Sequence, residues 1–250
     1  GAVVLTYNLP GSPALRFSPE VVAGIFLGEI TKWSDPAIVK LNPGLRQSTL
    51  DITVVHRSDS SGTSFIFTDY LSKISSQWKK SIGHGKQVNW PAGIGVEKNP
   101  GVVGMIQRIP GSIGYVELTY AEGQHLPTAS LRNRSGLFVE PTLDAVSEAA
   151  TVDLPDDTRI LITDTPSPKG YPISAFTYLI FYQDQKQTAA SLKSAEQLAS
   201  FLLWTVQEGQ KYCDSMLYAP LSEEAARKAK KILSRLSYGD QPILKSTGVK

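Results

Sequence analysis

The feature that most constrains this chain is a change of apolar period at Thr63. Before it, Asp51-Ile52-Thr53-Val54-Val55-His56 is a β-branched run of strand length. After it, Ile66, Phe67, Tyr70, Leu71 and Ile74 fall on one helical stripe. Between them lies the polar loop Arg57-Ser58-Asp59-Ser60-Ser61-Gly62-Thr63. A strand, a polar loop and a helix in succession bury their apolar sides only by packing helix on sheet.

The same alternation runs through most of the chain. Gly1 to Tyr7 begins as an apolar strand and Asn8-Leu9-Pro10-Gly11 turns out of it. Ser18-Pro19-Glu20 has the Ser cap, first-turn Pro and acid of a helix start, and that helix buries Val21, Val22, Ile25 and Phe26. Trp33-Ser34-Asp35-Pro36 repeats the cap before a short helix closed by Asn42-Pro43-Gly44. A Gly-rich stretch from Gly93 to Gly104 precedes a helix over Val102 to Arg108 and a strand at Gly114 to Glu117. Residues 123 to 168 are polar and turn-rich, and Tyr171 to Tyr182 reads as a strand. Helices follow at Ser194 to Gln207, with Ala195, Leu198, Ala199, Leu202 and Val206 on one face and Gly209 as the stop, and at Ser222 to Leu236. Strands interleaved with helices predict an α/β fold.

Charge and composition remove several functions. Lys and Arg number 25 against 23 Asp and Glu, a net +2, so no basic field draws in nucleic acid. Apolar runs such as Val21 to Leu27 and Tyr178 to Tyr182 are far shorter than the ~18–20 residues of a membrane span. Cys213 is the single cysteine, which rules out a disulfide scaffold. His56, His84 and His125 lack metal-ligand spacing, so each reads as a surface or satisfied core histidine and no metal is assigned. No nucleophile, base and orienter can be set together, so neither an enzyme nor a cofactor is expected.

The Arg57 to Thr63 loop has the parts of an oxyanion site. Uncapped amides at a helix N-terminus converge on one point where the dipole favours negative charge. Ser61, Gly62 and Thr63 stand at that terminus. The two hydroxyls add donors, Gly62 lets backbone approach, and Arg57 supplies a planar charged fork that Asp59 would hold in position. A Ser/Asp/Gly run before a helix is also an ordinary cap and turn, and composition alone leaves both readings open. No Walker loop, dinucleotide fingerprint or nucleophile elbow is present.

From Val55 to Ser72 the chain resembles the signature of the phosphate-binding subunit of the high-affinity phosphate ABC transporter. Further blocks are similar in the same order: Tyr7 to Gly11, Gly28 to Asp35, Leu41 to Gly44, Val88 to Pro91, Ile109 to Glu117 and Gly170 to Ile173. The resemblance implies a type II periplasmic-binding-protein architecture, two α/β domains joined by a hinge and closing on one phosphate ion. It implies Arg57, Ser61, Gly62 and Thr63 as phosphate ligands, Asp59 as the partner of the ligand arginine, and ABC transporter permease subunits as partners. It also implies a periplasmic or extracellular location, although no signal peptide stands in this chain.

The family pattern has more sequence before Gly1, including a Ser/Thr-Phe-Pro phosphate loop and an Asp that accepts the ligand's proton; none of it occurs here. The resemblance therefore assigns 10–168 to a complete second domain, and 1–9 with 169–250 to the remaining half of an incomplete first. Without that Asp, selectivity over sulfate is not expected to match the family's. Two expectations follow: a phosphate-binding transport protein represented by an incomplete chain, or a short relative acting as a structural or interaction subunit. In the second, another chain or segment supplies the missing N-terminal part, drawn to Ala2 to Thr6 as an open apolar strand.

Overall fold

In the computed structural model, residues 1–244 are described. They pack as two compact units, 1–152 with 161–176 and 153–160 with 177 onward. The resemblance places domain boundaries at 9/10 and 168/169, and its last piece ends in residues 245–250, outside the described ones.

The first unit is built on the periods and caps that the sequence carries. Its main sheet holds β1 (Val3–Tyr7), β3 (Thr53–Arg57), β4 (Ile94–Val96) and β5 (Ser112–Glu117), in the order β1-β5-β3-β4. A smaller sheet holds β2 (Arg16–Phe17), β6 (Ser130–Arg132) and β7 (Phe138–Val139). The three strands β5, β3 and β4 are parallel, so each connection must cross over. Helices α3 (Gly62–Ile74) and α4 (Ser76–Ser81) make one crossover and α5 (Lys98–Arg108) the other.

Alternation along β5 sorts the helices to the two faces. Gly114 lies under α5, where an added Cβ would stand 3.1 Å from Val102 and Ile106 and 2.7 Å from the Val55 carbonyl. Its neighbour Tyr115 turns to the other face and stacks on Phe67 of α3 at 4.5 Å. Phe67 in turn meets Phe26 of α1 (Pro19–Leu27) edge-on at 4.6 Å. Two helix starts are those expected, Ser18 capping α1 and Asp35 capping α2 (Pro36–Val39), and Ser61 caps α3, the cap reading that its loop had left open. Helix α1 ends at Gly28, whose φ of +77° is the left-handed stop that glycine adopts without strain.

Three expectations are corrected in this unit. First, β1 is not an open strand. It is buried throughout, pairs antiparallel with β5 along its whole length, and is bonded on its other edge through Val3 N–H to the Ile173 carbonyl and Ala129 N–H to the Leu5 carbonyl. Second, Tyr171 to Tyr182 forms no strand. Tyr171 to Ser174 is buried and makes single bridges to Ala2 and Thr163, whereas Leu179 and Ile180 are exposed and belong to the second unit. Third, the polar stretch 123–168 carries elements of its own: β6, β7 and α7 (Leu143–Ala149), the last capped by Thr142. Helix α5 starts at Lys98, earlier than expected, directly after β4 in the Gly-rich stretch, and α6 (Leu118–Glu122) follows β5.

The second unit is helical around a small core of Ala195, Ala199, Leu202, Leu233, Leu236 and Ile243. Helix α8 (Leu192–Thr205) starts on the Ser191 cap and exposes Leu198, which the periodicity placed on the buried face. Helix α9 (Glu223–Leu233) starts on Ser222 as expected. The hairpin of β8 (Ser237–Tyr238) and β9 (Gln241–Pro242) closes the described chain. Residues 153–160 are tied into this unit by Lys228, whose ammonium donates to the Leu154 carbonyl and pairs with Glu224. Among the described residues no helix is long and apolar enough to cross a membrane.

Candidate functional site

Strand β3 ends at Arg57 and α3 begins at Gly62, so the polar loop lies at the C-terminal edge of the parallel strands. That edge is where open α/β sheets place ligands. Arg57 is buried, and its guanidinium is held on one side by Asp59, with Nε donating to Oδ1 and Nη2 to Oδ2, each at 2.6 Å. Nη1 donates to Asn99 Oδ1 at 3.1 Å. The carboxylate holds the guanidinium above its usual range, against the opposing effect of burial. Asp59, bonded first by Arg57 and then by the Lys98 backbone N–H, titrates well below the usual carboxylate range. The pair therefore stays fully ionic across neutral and mildly acid pH.

The α3 terminus supplies the other donors. Ser61 takes an extended backbone and its Oγ accepts from Ser64 N–H at 3.2 Å, while Phe65 N–H goes to the Ser61 carbonyl. The Phe65 bond is the first of the helix ladder, so of the four amides before it, those of Ser61, bonded to the Lys86 carbonyl, and Ser64 have partners. The Gly62 and Thr63 amides, and the Thr63 hydroxyl, donate to no acceptor among the described residues. Gly62 is exposed and an added Cβ there would meet nothing within 4 Å, so the backbone is open to approach. Ser61 is nearly fully buried, anchored by its N–H to the Lys86 carbonyl at 2.9 Å.

Tyr115 closes the floor of the site. Its hydroxyl accepts the Arg57 backbone N–H at 3.1 Å and shares a 2.7 Å bond with the Ser64 hydroxyl. Burial pushes its pKa up to about 12, so it keeps its proton and remains able both to accept and to donate. The structure thus brings Arg57, Asp59, Ser61, Gly62 and Thr63 together, and adds Asn99 and Tyr115. Sequence reasoning missed those two because Asn99 lies 42 residues from Arg57 and Tyr115 lies 58. No local pattern marks such partners.

The histidines stand apart from one another. His56 stacks on Trp90 at 5.0 Å, His84 meets Phe65 edge-on at 5.5 Å, and His125 is exposed. Among the described residues no group of three or more His, Cys, Asp or Glu is placed to hold a metal ion.

Taken together, the site is a fixed guanidinium beside free helix-end amides and hydroxyls: donors without a competing free carboxylate, the chemistry of an oxyanion receptor. Residues 1–208 match the PBP superfamily domain. The chain is 42% identical over 229 residues to the phosphate-binding protein PstS of Methanocaldococcus jannaschii, covering 84% of this chain and 59% of that protein. It is 38% identical to PstS of Pasteurella multocida, covering 91% and 67% respectively. The chain spans about three fifths of the length of the first relatives it matches. Among solved structures it superposes on a DING protein with a TM-score of 0.73 and 20% identity, over 96% of this chain and 73% of that one. A high-affinity periplasmic phosphate-binding protein solved with phosphate gives 0.69 and 22%, over 100% and 74%. These structural likenesses establish the α/β fold of that superfamily.

Proposed function

We propose, from the premise that this chain belongs to the PBP superfamily and within it to the PstS phosphate-binding proteins, that it binds inorganic phosphate at the Arg57–Thr63 loop for delivery to an ABC transporter. The observation that carries the reading is the locked Arg57 fork beside the unused Gly62 and Thr63 amides. Arg57 meets two phosphate oxygens as a charged donor, the two amides and the Ser61 and Thr63 hydroxyls meet the others, and the α3 dipole favours the anion's charge. Asp59 neither leaves nor turns toward the ligand, because both of its oxygens are engaged by Arg57 and Lys98.

The chain acts on this reading as a receptor rather than an enzyme. Phosphate is held by hydrogen bonds and released unchanged to permease subunits, and the protein works in the periplasm or outside the cell. The names of relatives such as those of Methanocaldococcus jannaschii and Pasteurella multocida, phosphate-binding proteins, support the binding of phosphate in this reading.

Isothermal titration with phosphate and with sulfate tests it. Phosphate is expected to bind, and Thr63→Val, which deletes a hydroxyl donor and keeps the side chain's volume, to weaken it about tenfold or more with the melting temperature unchanged. Absence of heat with phosphate, or an unchanged affinity in the variant, overturns the assignment of this loop.

A further inference from the structure

Arginine carries five N–H donors, and three of those on Arg57 are engaged inside the protein, two by Asp59 and one by Asn99. One N–H on each terminal nitrogen remains for an anion. What fixes their direction is not Asp59 alone. Asp59 sits two residues along the same loop, so the ion pair and the loop could swing together. Asn99 has a different origin.

Asn99 is the second residue of α5 and is itself only 8% exposed. The residue before it, Lys98, donates its backbone N–H to Asp59 Oδ1 at 3.1 Å. The first two residues of α5 therefore hold both members of the ion pair. Lys98 does so from φ +60°, a left-handed backbone that is costly for a residue with a side chain. The helix behind them is rooted in the core through Val102, Val103 and Ile106, close over Gly114. Asn99 is thus a fixed point outside the loop, and its own Nδ2 hydrogens donate to no acceptor among the described residues.

We propose that Asn99 is a positioning residue for anion binding. By accepting from Nη1 it sets the plane of the guanidinium before ligand arrives, so that the two spare N–H groups already face the anion. This rests on the phosphate reading of the loop and names what preorganises it; affinity is gained because the fork need not be ordered on binding.

The test pairs phosphate titration of Asn99→Ala with the NMR signals of the Arg57 guanidinium in phosphate-free protein. In the parent protein the Nη protons are expected to be resolved, since rotation of the guanidinium is blocked. In the variant the two Nη1 protons coalesce while Asp59 still holds Nε and Nη2, and phosphate affinity falls about tenfold or more. If Asn99→Ala does not fold, Asn99→Ser, a polar side chain too short to reach Nη1, carries the same expectation. Unchanged affinity overturns the proposal, and so does lost affinity with the Arg57 signals still resolved. Weakening by Thr63→Val with none by Asn99→Ala leaves the loop as the site and removes Asn99 from it. A parent protein that takes up no phosphate removes both.

Discussion

At the scale of single residues, Gly62 separates what the fold needs from what the ligand needs. Its backbone is not in the left-handed region and an added Cβ meets nothing, so Gly62→Ala imposes no strain. In the first turn of α3 alanine should even stabilise the helix, by up to about 1 kcal/mol. On the proposed reading, the same methyl group would stand where the anion approaches the Gly62 and Thr63 amides. Gly62→Ala is therefore expected to melt no lower than the parent and yet to bind phosphate at least tenfold more weakly; equal affinity would mean that no anion comes close to this backbone. Asp59 makes a prediction with a definite sign. Its folded pKa lies below the usual value near ~3.9, so the stability it contributes is present above that pH and is lost as pH falls through the folded pKa. Asp59→Asn should be less stable than the parent at pH 7, and urea titrations should show the gap closing only below about pH 4. A gap that is constant into strong acid would show that the Arg57–Asp59 pair does not act through ionisation.

At the scale of elements, the hold on α3 is as important as its cap. Asp69 and Lys73, one turn apart on α3, form an ion pair at 3.0 Å, and Thr163 bonds both, its hydroxyl donating to Asp69 Oδ2 and accepting from the Lys73 ammonium. Thr163→Val keeps the shape and removes that link, leaving the buried Asp69 carboxylate short of a donor. The expected cost is about 1–3 kcal/mol, read as a lower melting temperature with phosphate affinity unchanged. An unchanged melting temperature would mean that water replaces the link without loss. This latch also shows what was legible in the sequence. Starts that carry a cap signal were, because a cap is a local event: Ser18, Asp35 and Ser222 each bond an amide two or three residues on, whereas α5, whose N-cap Glu97 makes no side-chain bond, begins before the expected Val102. The strand expected over Tyr171 to Tyr182 was not, since its β-rich composition says nothing about whether a neighbouring strand exists to pair with. Ile173 and Ser174 find single bridge partners in Thr163 and Ala2, and residues 177–182 belong to no strand. The site divides in the same way. Arg57 to Thr63 was readable as one local block, whereas Asn99 and Tyr115 reach Arg57 only through the β3-β4-β5 crossovers.

At the scale of the whole molecule, the two units differ in what holds each together, and that difference predicts how the protein melts. The first unit buries Trp33, Trp78, Tyr7, Tyr70, Tyr115, Tyr171 and several Phe residues in one interior. Among its described residues the second buries three alanines, four leucines and one isoleucine, and leaves Phe201, Trp204, Tyr212 and Met216 exposed. Since burial stabilises by roughly 25 cal/mol per Å² of apolar surface, the second core is the weaker. It should unfold at the lower temperature, as a separate step of the kind that departs from two-state behaviour. Leu202→Ala removes one of its few large side chains and is expected to cost about 2–5 kcal/mol, moving the lower calorimetric transition down and leaving the upper one in place. Fluorescence identifies the steps independently. Of the four tryptophans, Trp33, Trp78 and Trp90 lie in the first unit and Trp204 in the second. In a Trp204→Phe background, the remaining emission should follow only the upper transition and should not respond to Leu202→Ala. On the proposed reading, phosphate binding to the Arg57–Thr63 loop of the first unit should raise that upper transition as its concentration passes the dissociation constant. A single transition that both Leu202→Ala and phosphate shift together would instead require the two cores to unfold as one.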